Sequence, residues 1–372
     1  MNFEEELEYI KSQKLYRKRE IIKDKKIFCS NDYLGMSKNK EVIDYIVEKL
    51  REVNTIGATA SSLVNGYTKY HKELELLLSK LKSKEDCIVF PSGYSTNIGL
   101  FQALGNEEDV FYSDELNHAS IIDGIRLSKA SKYIYQHNNI KHLFELLKAT
   151  RQKYRRAYIV SDSVFSMEGD LARLKELIDI SKEFEAYLIL DEAHATGTIG
   201  KGIYDYFGLL PEENTIIMGT LSKAIGSQGG FVCAKKLIIE YIANKARSYI
   251  FSTALGLPMV FASIKALELI EKNLNKYKEE LQQRTKFILD MIKEFNFQPK
   301  EDFITPIIPI KVGKEDEALK LRNKLLENGV FIQAIRYPTV PKNKAILRLT
   351  ASLSYSSEDL EVLYEAFKSL KN

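Results

Sequence analysis

The chain has 372 residues, 45% of them hydrophobic and 28% charged. That is enough for two compact units, or one large unit with a smaller lobe, and it excludes a stapled mini-protein, wholesale disorder and a fibrous repeat. Fifty-four Lys and Arg against 51 Asp and Glu leave a net charge of +3, an excess that favours an anionic ligand but is too small for a nucleic-acid coat.

Met1 opens onto the acidic stretch NFEEELEYI, unlike a secretory signal, and no run approaches the length of a membrane span. Cys29, Cys87 and Cys233 are scattered and odd in number, so no disulfide framework or zinc site is expected and a reducing, cytoplasmic setting is. Residues Lys11 to Lys26 hold eight basic and two acidic side chains. They read either as a solvated helix face or as a patch greeting the phosphates of coenzyme A or an acidic carrier protein. A compact turn follows at SNDYLG, Ser30 to Gly35, and residues 1–36 are taken as an N-terminal arm.

From about Glu41 to Val260, strand-length apolar runs alternate with helical patterns: CIVF, AYIV, AYLIL, TIIM and FVCA. Runs without polar alternation are buried on both faces, which predicts an α/β domain with a mostly parallel sheet, assigned to residues 37–268. A long helical stretch containing Phe287, Ile288, Met291, Ile292 and Phe295 comes next. The runs ITPIIPIKV, VFIQAIR and AILRLTA follow, with helices from about Glu315 and Glu358, predicting a smaller α+β domain over 269–372.

Five motifs within this order carry possible chemistry. PSGYSTN follows a strand and opens a helix, where free N–H groups suit a phosphate. SDELNHASIIDG places His118 in a loop, either as a structural histidine or as a stacking or acid/base group. AYLILDEAHATG sets Asp191 at the carboxyl end of a strand, the edge where such sheets bind ligands, with His194 three residues on. DEAH also matches a helicase motif, but the GxxxxGK[ST] loop that reading requires is missing, and GTIGKG lacks its spacing. GTLSKAIGSQGG sets Lys223 between a buried strand and a glycine-dense turn, with Thr220 and Ser222 beside it. A desolvated amine there is a candidate nucleophile toward an aldehyde. FSTALGLP places Ser252 and Thr253 ahead of a helix, as N-caps or phosphate ligands. The histidines show no HExxH and no GxSxG elbow occurs, so no metal is expected. A lysine, a strand-end carboxylate, an anion-binding turn and a histidine on one α/β sheet suit pyridoxal phosphate.

With LVNGYTKYHKELE, DSVFSMEGD and IRYPTVP followed by LRLT, these motifs make the chain resemble, nearly end to end, the α-oxoamine synthases, a branch of the fold-type I pyridoxal-phosphate transferases. The resemblance implies that Lys223 holds the cofactor's aldehyde as a Schiff base and later serves as a base. It implies that Asp191 pairs with the pyridine nitrogen, His194 bonds the ring oxygen, His118 stacks on the ring, and Ser166 sits nearby. Gly93 and Tyr94 would offer backbone groups to the phosphate, Thr220 would bind it from the same subunit, and Thr253 from the neighbour in a homodimer. Asn31 and Arg348 would meet the amino-acid substrate, Arg348 through its carboxylate.

The implied activity is acyl transfer: condensation of a small amino acid with an acyl thioester on coenzyme A or acyl carrier protein, with loss of carbon dioxide, and with no nucleic acid or membrane partner. IRYPTVP, LRLTAS and the compact length fit alanine and a pimeloyl thioester, as in biotin synthesis. LNHASIIDGIR and DEAHATG fit glycine and acetyl-CoA equally, and GATASS at Gly57 to Ser62 departs from the more glycine-rich stretch of many members. Two other classes stand beside these: a non-catalytic scaffold on the same fold, and an aminotransferase.

Overall fold

In the computed structural model, which describes residues 2–13, 15–297 and 305–371, the apolar runs become the strands of one seven-stranded sheet. Helix α1 (Phe3–Ser12) is exposed along its length, and α2 (Lys40–Val53) and α3 (Lys69–Leu81) precede the sheet. The sheet and its crossovers are β1 (Asp86–Phe90), α4 (Gly93–Leu104), β2 (Asp109–Asp114), α5 (Ala119–Leu127), β3 (Ser131–Tyr135), α6 (Ile140–Thr150), β4 (Arg156–Asp162), α7 (Leu174–Glu183), β5 (Tyr187–Asp191), β6 (Thr215–Thr220) and β7 (Gly230–Ala234). The spatial order is β1-β7-β6-β5-β4-β2-β3, with β7 antiparallel to both neighbours and every other pairing parallel.

Successive residues of the central strands enter two separate cores. Ile159, Leu188 and Leu190 face one, while Tyr158, Val160 and Ile189 face the other. Because a strand turns alternate side chains to opposite faces, both faces must be covered by helices, and continuous apolar runs result. Strand β3 escaped the sequence reading because it lies at the sheet edge, where SKYIY alternates exposed and covered positions.

Helix α8 (Leu257–Glu294) leaves the sheet and is kinked at Asn273, whose φ and ψ are −118° and 18° and whose amide donates to the Leu269 carbonyl at 2.8 Å. Such side-chain competition for helix carbonyls is one origin of kinks. Beyond it lie β8 (Ile307–Gly313), α9 (Glu315–Glu327), β9 (Gln333–Ile335), β10 (Ala345–Thr350) and α10 (Ser357–Lys368). Strands β9-β10-β8 form an antiparallel sheet. Ile304, the first residue of the ITPIIPIKV run, lies outside the described residues.

The basic segment after α1 is not a helix face, since α1 ends at Ser12. Instead the arm is stitched to the far end of the chain: Lys26–Ile27 pairs in parallel with Val330–Phe331. Thr350 N–H donates to the Phe28 carbonyl and Leu353 N–H to that of Tyr33, each within 2.9 Å. Ser252 and Thr253 do not cap α8 either, because the helix begins at Leu257 after Gly256, while Thr253 forms an isolated bridge with Ser61.

His137 braces the segment after β4. Its Nδ1 lies 3.0 Å from Asp114 and its Nε2 2.8 Å from Asp170. Burial opposes a charge on this ring, but the two carboxylates outweigh it and push its pKa up to about 10. An imidazolium with a raised folded pKa contributes stability that is fully present below about pH 6.5 and is lost as pH rises toward 10. The stability advantage of the wild type over His137→Gln is therefore expected to shrink by about 2–3 kcal/mol between pH 7 and 9 in urea titrations. A pH-independent difference would refute this charge state.

Candidate active site

The parallel strands end together, and the side chains that follow them line a cavity of about 240 Å³. Its wall includes Gly93, Tyr94, His118, Ser166, Asp191, His194, Thr220 and Lys223, all named from the sequence. Asn31, Arg348 and Thr253 do not line it. Asn31 and Arg348 connect to it through Tyr33, whereas Thr253 is exposed and bridges to Ser61.

At one end, Ser92 caps α4 by accepting from Ser95 N–H at 3.1 Å, which starts the helix at Gly93. The first-turn N–H groups of Gly93 and Tyr94 then face the cavity mouth with the positive end of the helix dipole. A Cβ at 93 would be crowded, 3.1 Å from Thr220 Oγ1 and 3.2 Å from its Cβ, so that Thr220 would have to give by a few tenths of an ångström. The Thr220 hydroxyl sits 2.8 Å from that of Ser222. Together they form a small cradle of donors with room for a phosphate and no negative charge among its members.

At the centre, Asp191 is 5% exposed and held rigidly: Ala193 N–H donates to Oδ1 and Asn97 Nδ2 to Oδ2, both at 2.9 Å. Asn97 also donates to Ser120, which lies 2.7 Å from His118 Nδ1. Asp162 pairs in register with Asp191 on the adjacent strand and accepts from His118 N–H at 3.1 Å. Burial, then the charge of Asp191, pushes the Asp162 carboxyl well above its usual range.

Lys223 Nζ lies 2.8 Å from His194 Nε2. Burial chiefly, with help from Arg348 and against the pull of Asp191 and Asp162, pushes its pKa down to about 8. On the other side of His194, Nδ1 is 2.7 Å from the Tyr33 hydroxyl, which is 3.1 Å from Asn31 Oδ1 and 3.4 Å from Arg348 Nη2. Arg348 is itself anchored by donating from Nε to the Ser166 carbonyl at 2.8 Å.

The sequence reading did not single out Asn97, Ser120, Asp162 or Tyr33. Asn97 had a usable signal, since it lies four residues after Gly93 and so on the same face of α4. The donor set fits pyridoxal phosphate: an uncharged cradle for phosphate, a fixed carboxylate for a protonated ring nitrogen, and an amine of lowered pKa for the aldehyde. Among the described residues no cluster of three His, Cys, Asp or Glu is placed to hold a metal.

The sheet order, the strand-end carboxylate and the lysine on the β6–β7 turn define the fold-type I pyridoxal-phosphate transferases. The family model described as aminotransferase class I and II matches residues 23–367, and the chain belongs to that family, in its α-oxoamine synthase branch. A putative 8-amino-7-oxononanoate synthase of Aquifex aeolicus is 52% identical, over 98% of this chain and 97% of that protein. The solved structure of 8-amino-7-oxononanoate synthase from Francisella tularensis superposes with a TM-score of 0.77 at 28% identity, covering 93% of this chain and 98% of that one. An SPT structure holding PLP gives 0.86 at 26% identity, covering 92% and 86%.

Proposed function

We propose that the chain is a pyridoxal-phosphate-dependent acyltransferase that condenses L-alanine with a pimeloyl thioester, on coenzyme A or acyl carrier protein. The products are 8-amino-7-oxononanoate, carbon dioxide and the free thiol, a step of biotin biosynthesis. The 52% identity to the Aquifex aeolicus relative over almost the whole chain carries the choice of reaction. The pairing of Lys223 with an Arg348 clamp through His194 and Tyr33 supports it chemically.

Gly93, Tyr94, Thr220 and Ser222 would hold the cofactor's phosphate, Asp191 its ring nitrogen, His194 its ring oxygen, His118 its face, with Ser166 nearby. When bound, pyridoxal phosphate supplies an electron sink for the pair left on the amino acid's α-carbon. Arg348 grips the substrate carboxylate with the donors of its planar fork, next to Asn31. Lys223, whose ammonium gives up its proton more readily because it is buried, removes the α-proton and returns a proton later in the cycle. Asp191, held by Asn97 and Ala193, would pair with the cofactor's ring nitrogen and so favour electron withdrawal.

The working unit is a homodimer in which Thr253 reaches the neighbouring subunit's phosphate. In support, Ile56, Val64 and Phe251, on the segments flanking the Ser61–Thr253 bridge, are 68%, 77% and 69% exposed. We also read 1–36 as an arm, 37–268 as the cofactor domain and 269–372 as the smaller domain, a division that the bend at Asn273 supports. The cytoplasm is the proposed location; no described helix is long and apolar enough to cross a membrane.

Thiol release measured for alanine and glycine, each with pimeloyl and acetyl thioesters, tests the assignment. Alanine with the pimeloyl thioester is expected to be fastest, and a clear preference for glycine with acetyl-CoA would overturn it.

A further inference from the structure

His194 is placed between two groups that each need a particular ring nitrogen. Its imidazole is buried, and that burial, followed by the nearby charges of Lys223, Arg348 and His118, drives its pKa well below the usual histidine range. A neutral imidazole has one N–H donor and one bare nitrogen acceptor, and which is which is set by the neighbours.

The neighbour of Nδ1 is the hydroxyl of Tyr33, a side chain with no exposed surface. At 2.7 Å this contact is short, in the range of an O–H donor rather than the longer spacing typical of an N–H donor. The alternative acceptor for the same proton, Asn31 Oδ1, is farther at 3.1 Å. Arg348, which can only donate, approaches the phenol oxygen from Nη2 at 3.4 Å and so favours giving the phenol proton outward. Burial raises the Tyr33 pKa, so the phenol keeps a proton to give.

We propose that Tyr33 is a positioning residue that donates to His194 Nδ1, fixing the Nε2–H tautomer so that the single imidazole N–H is aimed into the cavity beside Lys223. The proposal rests on the pyridoxal-phosphate reading above and deepens it. The Nε2–H is the donor that the lysine amine meets in the free site once that amine is neutral, above its pKa of about 8, and the one that a ring oxygen would receive. Among the described residues the Tyr33 hydroxyl is the hydrogen-bond partner of Nδ1, and without it the N–H would be shared between the two nitrogens. The same hydroxyl touches the Arg348 guanidinium, so the side chain meant for the substrate carboxylate and the one that sets His194 share one phenol.

Tyr33→Phe removes only the hydroxyl from a fully packed position and keeps the ring, so the fold is expected to survive. In cofactor-free protein labelled with 15N-histidine, the His194 signals are those lost in His194→Asn. Long-range 1H–15N spectra at about pH 9.5, where the Lys223 amine is mostly neutral and can accept, are expected to show a protonated Nε2 and bare Nδ1 in the wild type. Tyr33→Phe should give a mixture or an Nδ1–H form. In the loaded enzyme, kcat should fall about tenfold to a hundredfold, by analogy with the loss when a hydrogen-bond partner orienting a metal-bound histidine is removed. At that pH, an Nδ1–H tautomer in the wild type, or a spectrum unchanged by Tyr33→Phe, overturns the proposal. Failure of the wild type to turn over alanine with the pimeloyl thioester would defeat the functional reading instead, and the tautomer measurement would still decide the role of Tyr33.

Discussion

Lys223→Ala is expected to lower thiol release from alanine and a pimeloyl thioester by at least about 10⁴-fold, because one side chain is asked to anchor the cofactor and to move the α-proton. The position prepares that amine. An ordinary lysine with a pKa near 10.5 is neutral in only about one molecule in three thousand at pH 7, whereas with a pKa of about 8 roughly one in ten is. Burial lowers the pKa because an ammonium loses its hydration there, and Arg348 adds to that effect. Asp191 and Asp162 pull the other way and keep the shift moderate. Alanine cannot supply the amine, and His194, whose Nε2 is 2.8 Å from Nζ, belongs to a ring held neutral and far weaker as a base. The purified wild type refilled with pyridoxal phosphate should be yellow and the variant should lose that band. A variant that keeps more than a hundredth of the wild-type rate would remove Lys223 from the mechanism.

Lys82→Met should cost about 3–5 kcal/mol of stability, the usual penalty for leaving one member of a buried ion pair alone. Lys82 Nζ on the end of α3 is enclosed by the Glu192 carboxylate, the Lys201 carbonyl and, at 2.8 Å, the Thr196 hydroxyl. The two charged side chains are only 2% and 1% exposed. Glu192 in turn accepts from Ile203 N–H at 2.9 Å, and a Cβ on Gly202 would collide with its carboxylate. The pair therefore ties together both ends of the turn that runs from Asp191 through His194. With the ammonium gone, a carboxylate remains buried without its counter-charge. The double variant Lys82→Met with Glu192→Leu removes both charges and should recover most of the loss, since a buried pair gains little over an apolar replacement. Urea denaturation of wild type, single and double variants tests this, and a single-variant loss below about 1 kcal/mol would show that the pair is not structurally required.

Much of this site was legible along the chain because each motif is local. Gly93 has to open a helix after a strand, Asp191 has to end one, and Lys223 has to follow another, and each requirement is written within a dozen consecutive residues. The residues that went unrecognised have partners far away in sequence. Tyr33 sits 161 residues before His194 and 315 before Arg348, and Lys82 is 110 residues before Glu192. Asp162 gains its importance only from standing beside Asp191 on the next strand.

The sequence by itself determined the alternation of buried strands and helices, the ends of those strands, and the set of donors and acids placed there, because burial pattern and capping act over a few residues. Only the tertiary structure decided which strand lies beside which and that β7 runs against its neighbours. It also decided that the arm near Tyr33 folds back against β10, bringing Arg348 to the edge of the cavity. The physical reason is that hydrogen bonds between distant segments and the loss of water around them depend on the assembled fold. A pKa pushed down to about 8, or a tautomer held by one phenol, exists only once those segments meet.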